Sequence, residues 1–342
     1  MPLVSVLMPA YNTAQFIGDA IQSILSQTFS DFELIIVNDG STDRTEDVVL
    51  SYQDNRIRYF KNDGNKGLTY TRNRLISLSS GEYIAFIDSD DLNNVRRLEL
   101  QIRMLENDKS LGFVSASATT LNNDKTRGGS WKFDLTPEQL KPYFLFNNPV
   151  VTSTMTIRKS ALPDVNFREG YPPCEDYDLW VRINYHHKGL VLPVSLASYR
   201  LHVNNISFLK NDTVRENINK VVSDQLRYYF NNEYSIQEEK LHVSLSDFSI
   251  HNNIADLKSL PDWLMKIRHL NSQYTIFEPN ALDNVLYERV LKKFLRLSSY
   301  NLSVIKMLWE IKKHLNPTLS VTGRVKELVI FISSVLHIKI VN

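Results

Sequence analysis

The chain has 342 residues, 43% hydrophobic and 23% charged, a balance that excludes wholesale disorder and suits one large domain or two smaller ones. Its 39 lysines and arginines face 38 acids, and a net charge of +1 offers no footprint for nucleic acid. A single cysteine, Cys174, excludes an internal disulfide and a cysteine-based zinc site, and fits a reducing compartment. With no apolar run of about twenty residues and no basic leader ahead of the first strand-like segment, a cytoplasmic protein is expected.

Leu3 to Met8 reads as a buried strand closed by Pro9. Phe16, Ile17, Ala20, Ile21, Ile24 and Leu25 then recur at helical spacing, the stripe of a helix packed on a sheet. Phe32 to Val37 is a second apolar run, ending in Asn38, Asp39 and Gly40. Asp43, with Glu46 three residues on, predicts a helix start whose apolar face is Val48, Val49 and Tyr52. A short alternating strand, Arg56 to Phe60, and a polar loop with Gly64 and Gly67 lead to a helix from about Thr69 to Leu78. Tyr83 to Ile87 is the next buried strand, and it surfaces into Asp88, Asp90 and Asp91 with only Ser89 between them. A helix over Asn94 to Leu105 and a strand over Gly112 to Leu121 follow.

Further on, Asn122 to Ser130 reads as a flexible connection. Thr136-Pro-Glu-Gln139 carries a cap, a first-position proline and a glutamine three residues after the cap, which together predict a helix start. Val151 to Arg158 alternates, with Thr152, Ser153 and Thr154 placed where a substrate could pass. A helix after Pro172 and Pro173 opens on Glu175 and Asp176 and turns Leu179, Trp180 and Ile183 inward. The strand Leu190 to Arg200 precedes His202.

Alternating apolar strands and helices predict an α/β fold, a parallel sheet covered on both faces. Parallel strands bring Ala10-Tyr11-Asn12, Asp39 and Asp88–Asp91 to one edge, where open sheets bind ligands. A flat aromatic ring, an acceptor carboxylate and an acidic cluster suit a nucleotide whose phosphates carry a divalent cation. Neither GxGxxG nor GxxxxGK[ST] is present, which argues against a dinucleotide dehydrogenase and a P-loop. The plainer alternative is that the acids are turn and helix-cap residues, with Asp91 capping the helix near Asn94.

Six segments stand in the order of a known family: Ser5–Asn12 (SVLMPAYN), Val37–Asp43 (VNDGSTD), Gly67–Asn73 (GLTYTRN), Gly81–Asp91 (GEYIAFIDSDD), Glu175–Trp180 (EDYDLW) and Tyr199–His202 (YRLH). Over residues 3 to 207 the chain resembles a family 2 glycosyltransferase of the GT-A fold, whose sheet is Rossmann-like, mostly parallel and flanked by helices. The resemblance implies that Pro9, Ala10, Tyr11 and Asn12 wrap the nucleotide base, with Tyr11 offering a stacking face. It assigns Asp39 to the uracil imide, Arg72 to a nucleotide contact, and Asp88 and Ser89 to the nucleotide. It gives Asp90, with Asp88 and His202, to a Mn²⁺ or Mg²⁺ ion bridging the donor diphosphate. Asp176 is the implied general base and Glu175 orients the acceptor. Direct displacement needs no carboxylate nucleophile, so inversion is expected.

The activity implied is transfer from a nucleotide-diphosphate donor, a UDP-sugar, to a hydroxyl of a glycan or lipid-linked acceptor in cell-surface polysaccharide synthesis. One alternative is a sugar-nucleotide nucleotidyltransferase, which would need a basic glycine-rich loop where Pro9–Asn12 stand. The other is a non-catalytic sugar-nucleotide or glycan binding protein, which predicts loss of Asp90 or Asp176, and both are present. Each residue also has a plain reading: acids favoured by a helix dipole for Glu175 and Asp176, an Asx-turn for Asp39, a solvated helix charge for Arg72, a structural histidine for His202.

Residues 1–211 are expected to form the catalytic domain and 212–342 a mainly helical region. Val214, Ile218, Val221, Val222, Leu226 and Tyr229 outline a long amphipathic helix, and Val304 to Leu315 is helical with Lys306, Lys312 and Lys313 interleaved. Leu328 to Val341 is apolar, β-branched, too short to span a bilayer, and flanked by Arg324, Lys326 and Lys339. It reads as a peripheral contact with the inner face of a membrane, as a buried terminal element, or as a homodimer face.

Overall fold

The computed structural model describes residues 1–122, 126–164, 166–203, 205, 211–246, 254–297 and 300–336. They divide into two compact units, Met1–Leu140 with Pro149–Asn217, and Lys141–Asn148 with Ile218–Asn342. The short segment 141–148 thus joins the second unit although its neighbours on both sides lie in the first.

The first unit opens with β1 (Val4–Ala10), α1 (Ile17–Leu25), β2 (Phe32–Asn38), α2 (Thr45–Leu50), β3 (Ile57–Lys61), α3 (Leu68–Leu78) and β4 (Tyr83–Phe86). It continues through β5 (Leu92–Asn93), α4 (Arg97–Asn107), β6 (Leu111–Asn122), β7 (Arg127–Trp131) and the start of α5 (Pro137–Tyr143), whose residues from Lys141 on belong to the second unit. A 3₁₀ turn over Thr152–Thr154, β8 (Thr156–Arg158), α6 (Glu175–His186) and β9 (Lys188–Leu201) follow. One sheet runs β3-β2-β1-β4-β8-β6-β9-β5, with β7 paired to β6. The half that matters for ligand binding, β3-β2-β1-β4, is wholly parallel. The far half is mixed, because β8, β5 and β7 enter antiparallel while β6 and β9 run parallel.

Every residue of β1 and β2 is buried, as two-sided cover requires. Val4, Val6, Met8 and Ala10 pack with Ile17, Ala20, Ile21 and Ile24 of α1 in one core on one face of the sheet. Pro9 does not close β1: the strand runs on through Ala10, with Pro9 opposite Val37. Pro9 faces the same side as Leu7, toward β4, whose pairing stops at Leu7, so the missing N–H breaks no rung.

Three other expectations are corrected. Residues 127–131 are an exposed edge strand, not a flexible connection; residues 123–125 of that stretch lie outside the described residues. The helix expected from Asn94 starts at Arg97, because Leu92 and Asn93 first pair with Ser198 and Ala197 of β9. Within Val151–Arg158 only the last three residues are strand, and Thr152–Thr154 is a tight 3₁₀ turn.

The chain then passes through α7 (Asn211–Phe230), α8 (Ile236–Ser246), α9 (Leu260–Tyr274), α10 (Pro279–Phe294), α11 (Leu302–Leu315) and α12 (Val321–Leu336). Caps set two of these starts: Glu278 accepts from Asn280 N and Ala281 N ahead of α10, and Asn301 accepts from Ser303 N ahead of α11. Trp263, Leu264, Leu286, Val290 and Phe294 fill the core of the second unit. His242 is buried there, stacked on Phe146 with ring centroids 4.4 Å apart and donating from Nε2 to the Leu145 carbonyl at 3.0 Å. The apolar stretch after Leu328 is helical as far as Leu336; residues 337–341 lie outside the described residues. Its described part is not a buried element, since Leu328, Val329, Phe331, Ile332 and Val335 are exposed.

Candidate active site

Parallel strands β1, β2 and β4 end on one edge, and each passes its loop a candidate residue. Pro9 and Ala10 are buried inside β1, whereas Tyr11, 46% exposed, presents its ring beyond the sheet. Asn12 takes a left-handed φ of 52°, its Oδ1 accepts from Thr42 N at 2.9 Å, and its own N donates to Ser41 Oγ at 2.9 Å. Asp43, expected as a helix cap, accepts from Thr45 N at 2.9 Å and also from Ala14 N at 3.0 Å. Loops after β1 and β2 are therefore laced together.

Asp39 is buried, and its carboxylate accepts from Asn62 Nδ2 at 2.6 Å, Lys66 N at 2.9 Å and Gly67 N at 2.9 Å. It organises the loop before α3, and these donors occupy three of the roughly four acceptor sites a carboxylate offers. Gly40, next along, has φ +73°, and a Cβ there would lie 2.5 Å from the Gly64 carbonyl carbon.

The acids after β4 separate into distinct environments. Asp91 is fully enclosed: its carboxylate accepts from Ser153 Oγ and from Arg200 N, so it does not cap α4. Ser153 Oγ in turn accepts from Asp88 N at 3.0 Å, and Ser89 is buried between the acids. Asp90 Oδ2 lies 2.8 Å from His202 Nε2, and the His202 ring stacks on Phe16 at 4.9 Å. Burial pushes Asp91 well above the usual carboxylate range, and the charges of Asp90 and Asp88 push it further. Burial also raises Asp88, against the pull of Arg72.

Arg72, whose plain reading was a solvated helix charge, is buried between two acids. It donates from one guanidinium nitrogen to Asp88 at 2.9 Å and from another to Glu175 at 2.7 Å, with Phe167 5.5 Å from the guanidinium carbon. Glu175, the first residue of α6, is 2% exposed, while Asp88 keeps 29% of its side chain in contact with solvent. Burial raises Glu175 despite Arg72, and the neighbouring Asp176 adds to the effect. The other oxygen, Glu175 Oε2, has no hydrogen-bond partner among the described residues. Asp176 is half-buried, and its Oδ2 accepts from Thr152 Oγ1 at 2.7 Å. The 3₁₀ turn thus holds acids of both groups, Asp176 through Thr152 and Asp91 through Ser153.

Sequence reasoning missed two arginines. Arg97 is fully buried and among the described residues hydrogen-bonds only uncharged acceptors, including the Phe86 carbonyl at 2.8 Å and the Met155 carbonyl at 2.7 Å, tying β4 to the chain after the 3₁₀ turn. Burial, with no acid partner among the described residues, pushes it down to about 9. Arg200 donates from Nε to the Asp90 carbonyl at 2.8 Å and covers the Phe16 ring at 4.9 Å. Its place in the Tyr199–His202 segment was the available signal for it.

The acids present a donor set that a hard divalent cation fits. Two carboxylates, Asp88 and Asp90, and one imidazole, His202, follow the ends of β4 and β9, with Asp90 and His202 2.8 Å apart. His202 Nδ1 is buried with no partner among the described residues. No group of three or more ligating side chains is already assembled among the described residues, since Asp88 is engaged by Arg72 and Asp90 by His202.

Residues 5–165 match the pattern of glycosyl transferase family 2. An uncharacterized glycosyltransferase of Haemophilus influenzae is 28% identical over 92% of either chain. The Escherichia coli UDP-Glc:alpha-D-GlcNAc-diphosphoundecaprenol beta-1,3-glucosyltransferase WfaP is 33% identical over 60% of this chain and 80% of its own length. Among solved structures, S. aureus TarS 1-349 in complex with UDP-GlcNAc shares the fold with a TM-score of 0.53, 15% identity and 93% coverage of both chains. These relatives do not favour a nucleotidyltransferase or a non-catalytic binding protein. The chain is an enzyme of the GT-A fold and belongs to glycosyl transferase family 2.

Proposed function

We infer that this enzyme moves a sugar from a UDP-linked donor to a hydroxyl of a lipid-linked or growing glycan, with inversion, at the cytoplasmic face of a membrane. The observation that carries the reading is the Arg72 bridge. One buried cation joins the acid at the β4 end to Glu175 at the start of α6, which leaves Asp176 as the open carboxylate of its pair. The name of the WfaP relative, with its UDP-glucose donor and diphosphoundecaprenol acceptor, supports the substrate class.

In this reading Asp176 takes the proton from the acceptor hydroxyl as its oxygen attacks the anomeric carbon opposite the departing diphosphate. The Thr152 hydroxyl, 2.7 Å from Oδ2, fixes the carboxylate's rotation, and Glu175 is a positioning residue held on Arg72. Tyr11 stacks on the base with Pro9, Ala10 and Asn12 shaping its loop, the remaining acceptor site of Asp39 takes the imide N–H, and Asp88 and Ser89 lie against the ribose. Asp90, Asp88 and His202 would hold Mn²⁺ or Mg²⁺. Bound there, the cation supplies Lewis-acid stabilisation of charge on the leaving diphosphate.

Titrating UDP calorimetrically tests this. Binding should be tighter with Mn²⁺ than with EDTA, and Asp90→Ala should erase the difference. Equal affinity in both buffers would remove the metal assignment, and no UDP binding in either would remove the donor assignment.

A further inference from the structure

The last helix is folded inside out. In α12 the buried or half-buried positions are Gly323, Lys326, Glu327, Ile330, Ser333 and Ser334. Glu327 accepts from Tyr287 Oη of α10 and from Lys312 Nζ of α11, so the helix is fastened to its unit by its polar side. The side turned to solvent carries Val325, Leu328, Val329, Phe331, Ile332 and Val335. At 3.6 residues per turn these six fall within roughly 160° of arc, an unbroken apolar face over three turns. Helices of soluble domains bury that face, and a contiguous exposed patch of this kind marks an interaction surface.

Neighbouring α11 adds a second exposed stripe, Leu302, Lys306, Trp309 and Lys313, at spacings of four, three and four. Trp309 is 65% exposed, and Lys313 Nζ lies 5.7 Å from its ring centroid. Tryptophan with lysine is the pairing found where protein meets lipid headgroups, the ring at the interface and the cation in water. The two helices carry five cations, Lys306, Lys312, Lys313, Arg324 and Lys326, against two acids, Glu310 and Glu327, in a chain whose net charge is +1. Lys306 and Arg324 form no ion pair among the described residues.

An α12 of 16 residues is about 24 Å long, short of the roughly 30 Å hydrocarbon core, and no helix among the described residues is long and apolar enough to cross a membrane. We propose that the outer faces of α11 and α12 dock this chain in the plane of an anionic lipid surface, the apolar side of α12 entering the headgroup boundary and Lys306, Lys313 and Arg324 meeting lipid phosphates. The clustered positive charge favours this occupant over a second copy of the same face, which would set the cations of one copy against those of the other. The inference rests on these two helices alone and stands apart from the transfer reaction.

The test is co-sedimentation of the full chain with phosphatidylcholine vesicles, with and without a third phosphatidylglycerol, at low and high salt. Binding is expected at low salt to the anionic vesicles, at least tenfold weaker to neutral ones, and weaker again in high salt. Leu328→Glu with Ile332→Glu should lower anionic-vesicle partition at least tenfold with an unchanged melting temperature, because both side chains are already exposed. Lys306→Glu with Arg324→Glu is the second variant, expected to remove the preference for anionic lipid. Equal binding to both vesicles would overturn the electrostatic part. No binding to either, or a mass that doubles with concentration and reverts in the Leu328/Ile332 variant, would overturn the proposal in favour of a protein-filled face.

Discussion

Replacing Arg72 by methionine removes the cation while keeping much of the side-chain volume. Glu175, 2% exposed, then loses the one hydrogen bond its carboxylate makes to a cation, and its second oxygen already lacks a partner among the described residues. Breaking a buried pair from one side typically costs about 3–5 kcal/mol, because the remaining charge is left uncompensated. Asp88 contributes less to that sum, since 29% of its side chain can rehydrate. Glu175 is already raised above its ordinary 4.5 by burial, and losing Arg72 raises it further. A carboxylate with a folded pKa above its unfolded one binds more protons in the native state, so its stability contribution grows as pH falls toward 4.5. Urea denaturation should therefore show a deficit of about 3–5 kcal/mol for Arg72→Met at pH 7.5 that narrows by pH 5.5. Adding Glu175→Gln to Arg72→Met should recover a large part of the loss at pH 7.5. A deficit below about 1 kcal/mol, or one that neither pH nor Glu175→Gln alters, would refute the bridge.

Gly40→Ala combines a positive φ with a Cβ 2.5 Å from backbone, so it should cost about 2 kcal/mol or more and weaken UDP binding through the Asp39 loop, checked by melting and calorimetry. His242 in the second unit is pushed down to about 4 by burial, against its ordinary 6.5. A base with a lowered folded pKa confers stability that is whole above 6.5 and is lost as pH falls toward 4, roughly 3 kcal/mol in full. Between pH 7.5 and 5 the wild type should lose more melting temperature than His242→Gln; parallel curves would contradict this.

Much of the first unit was legible because its strands are short apolar runs and its helices carry a stripe at i, i+3, i+4. Tyr83 to Ile87 could hardly be anything but a buried strand, and parallel pairing then put Asp39 and Asp88–Asp91 on one edge. What failed depended on partners distant in sequence. Pro9 looked like a stop because nothing local says that β4 ends two residues earlier on its open side. Residues 127–131, Arg-Gly-Gly-Ser-Trp, carry no alternation and are strand only because β6 offers them an edge. Asp88 and Asp90 read from the sequence as a metal-type pair, but the arginine at Asp88 also reaches an acid 103 residues away, a link no spacing encodes. In α12 the composition announced only an apolar, β-branched stretch, and the fold shows that it is helical and which side faces out.

Asp176→Asn gives the most direct test of the central claim. With a UDP-sugar and a lipid-diphosphate acceptor, the wild type should release UDP and form a glycosidic product of inverted anomeric configuration. The variant should bind UDP with unchanged affinity and lose roughly 10²–10⁴-fold in transfer, the range expected of a general base. Full activity in Asp176→Asn, or retention of the donor's configuration by the wild type, would contradict the mechanism.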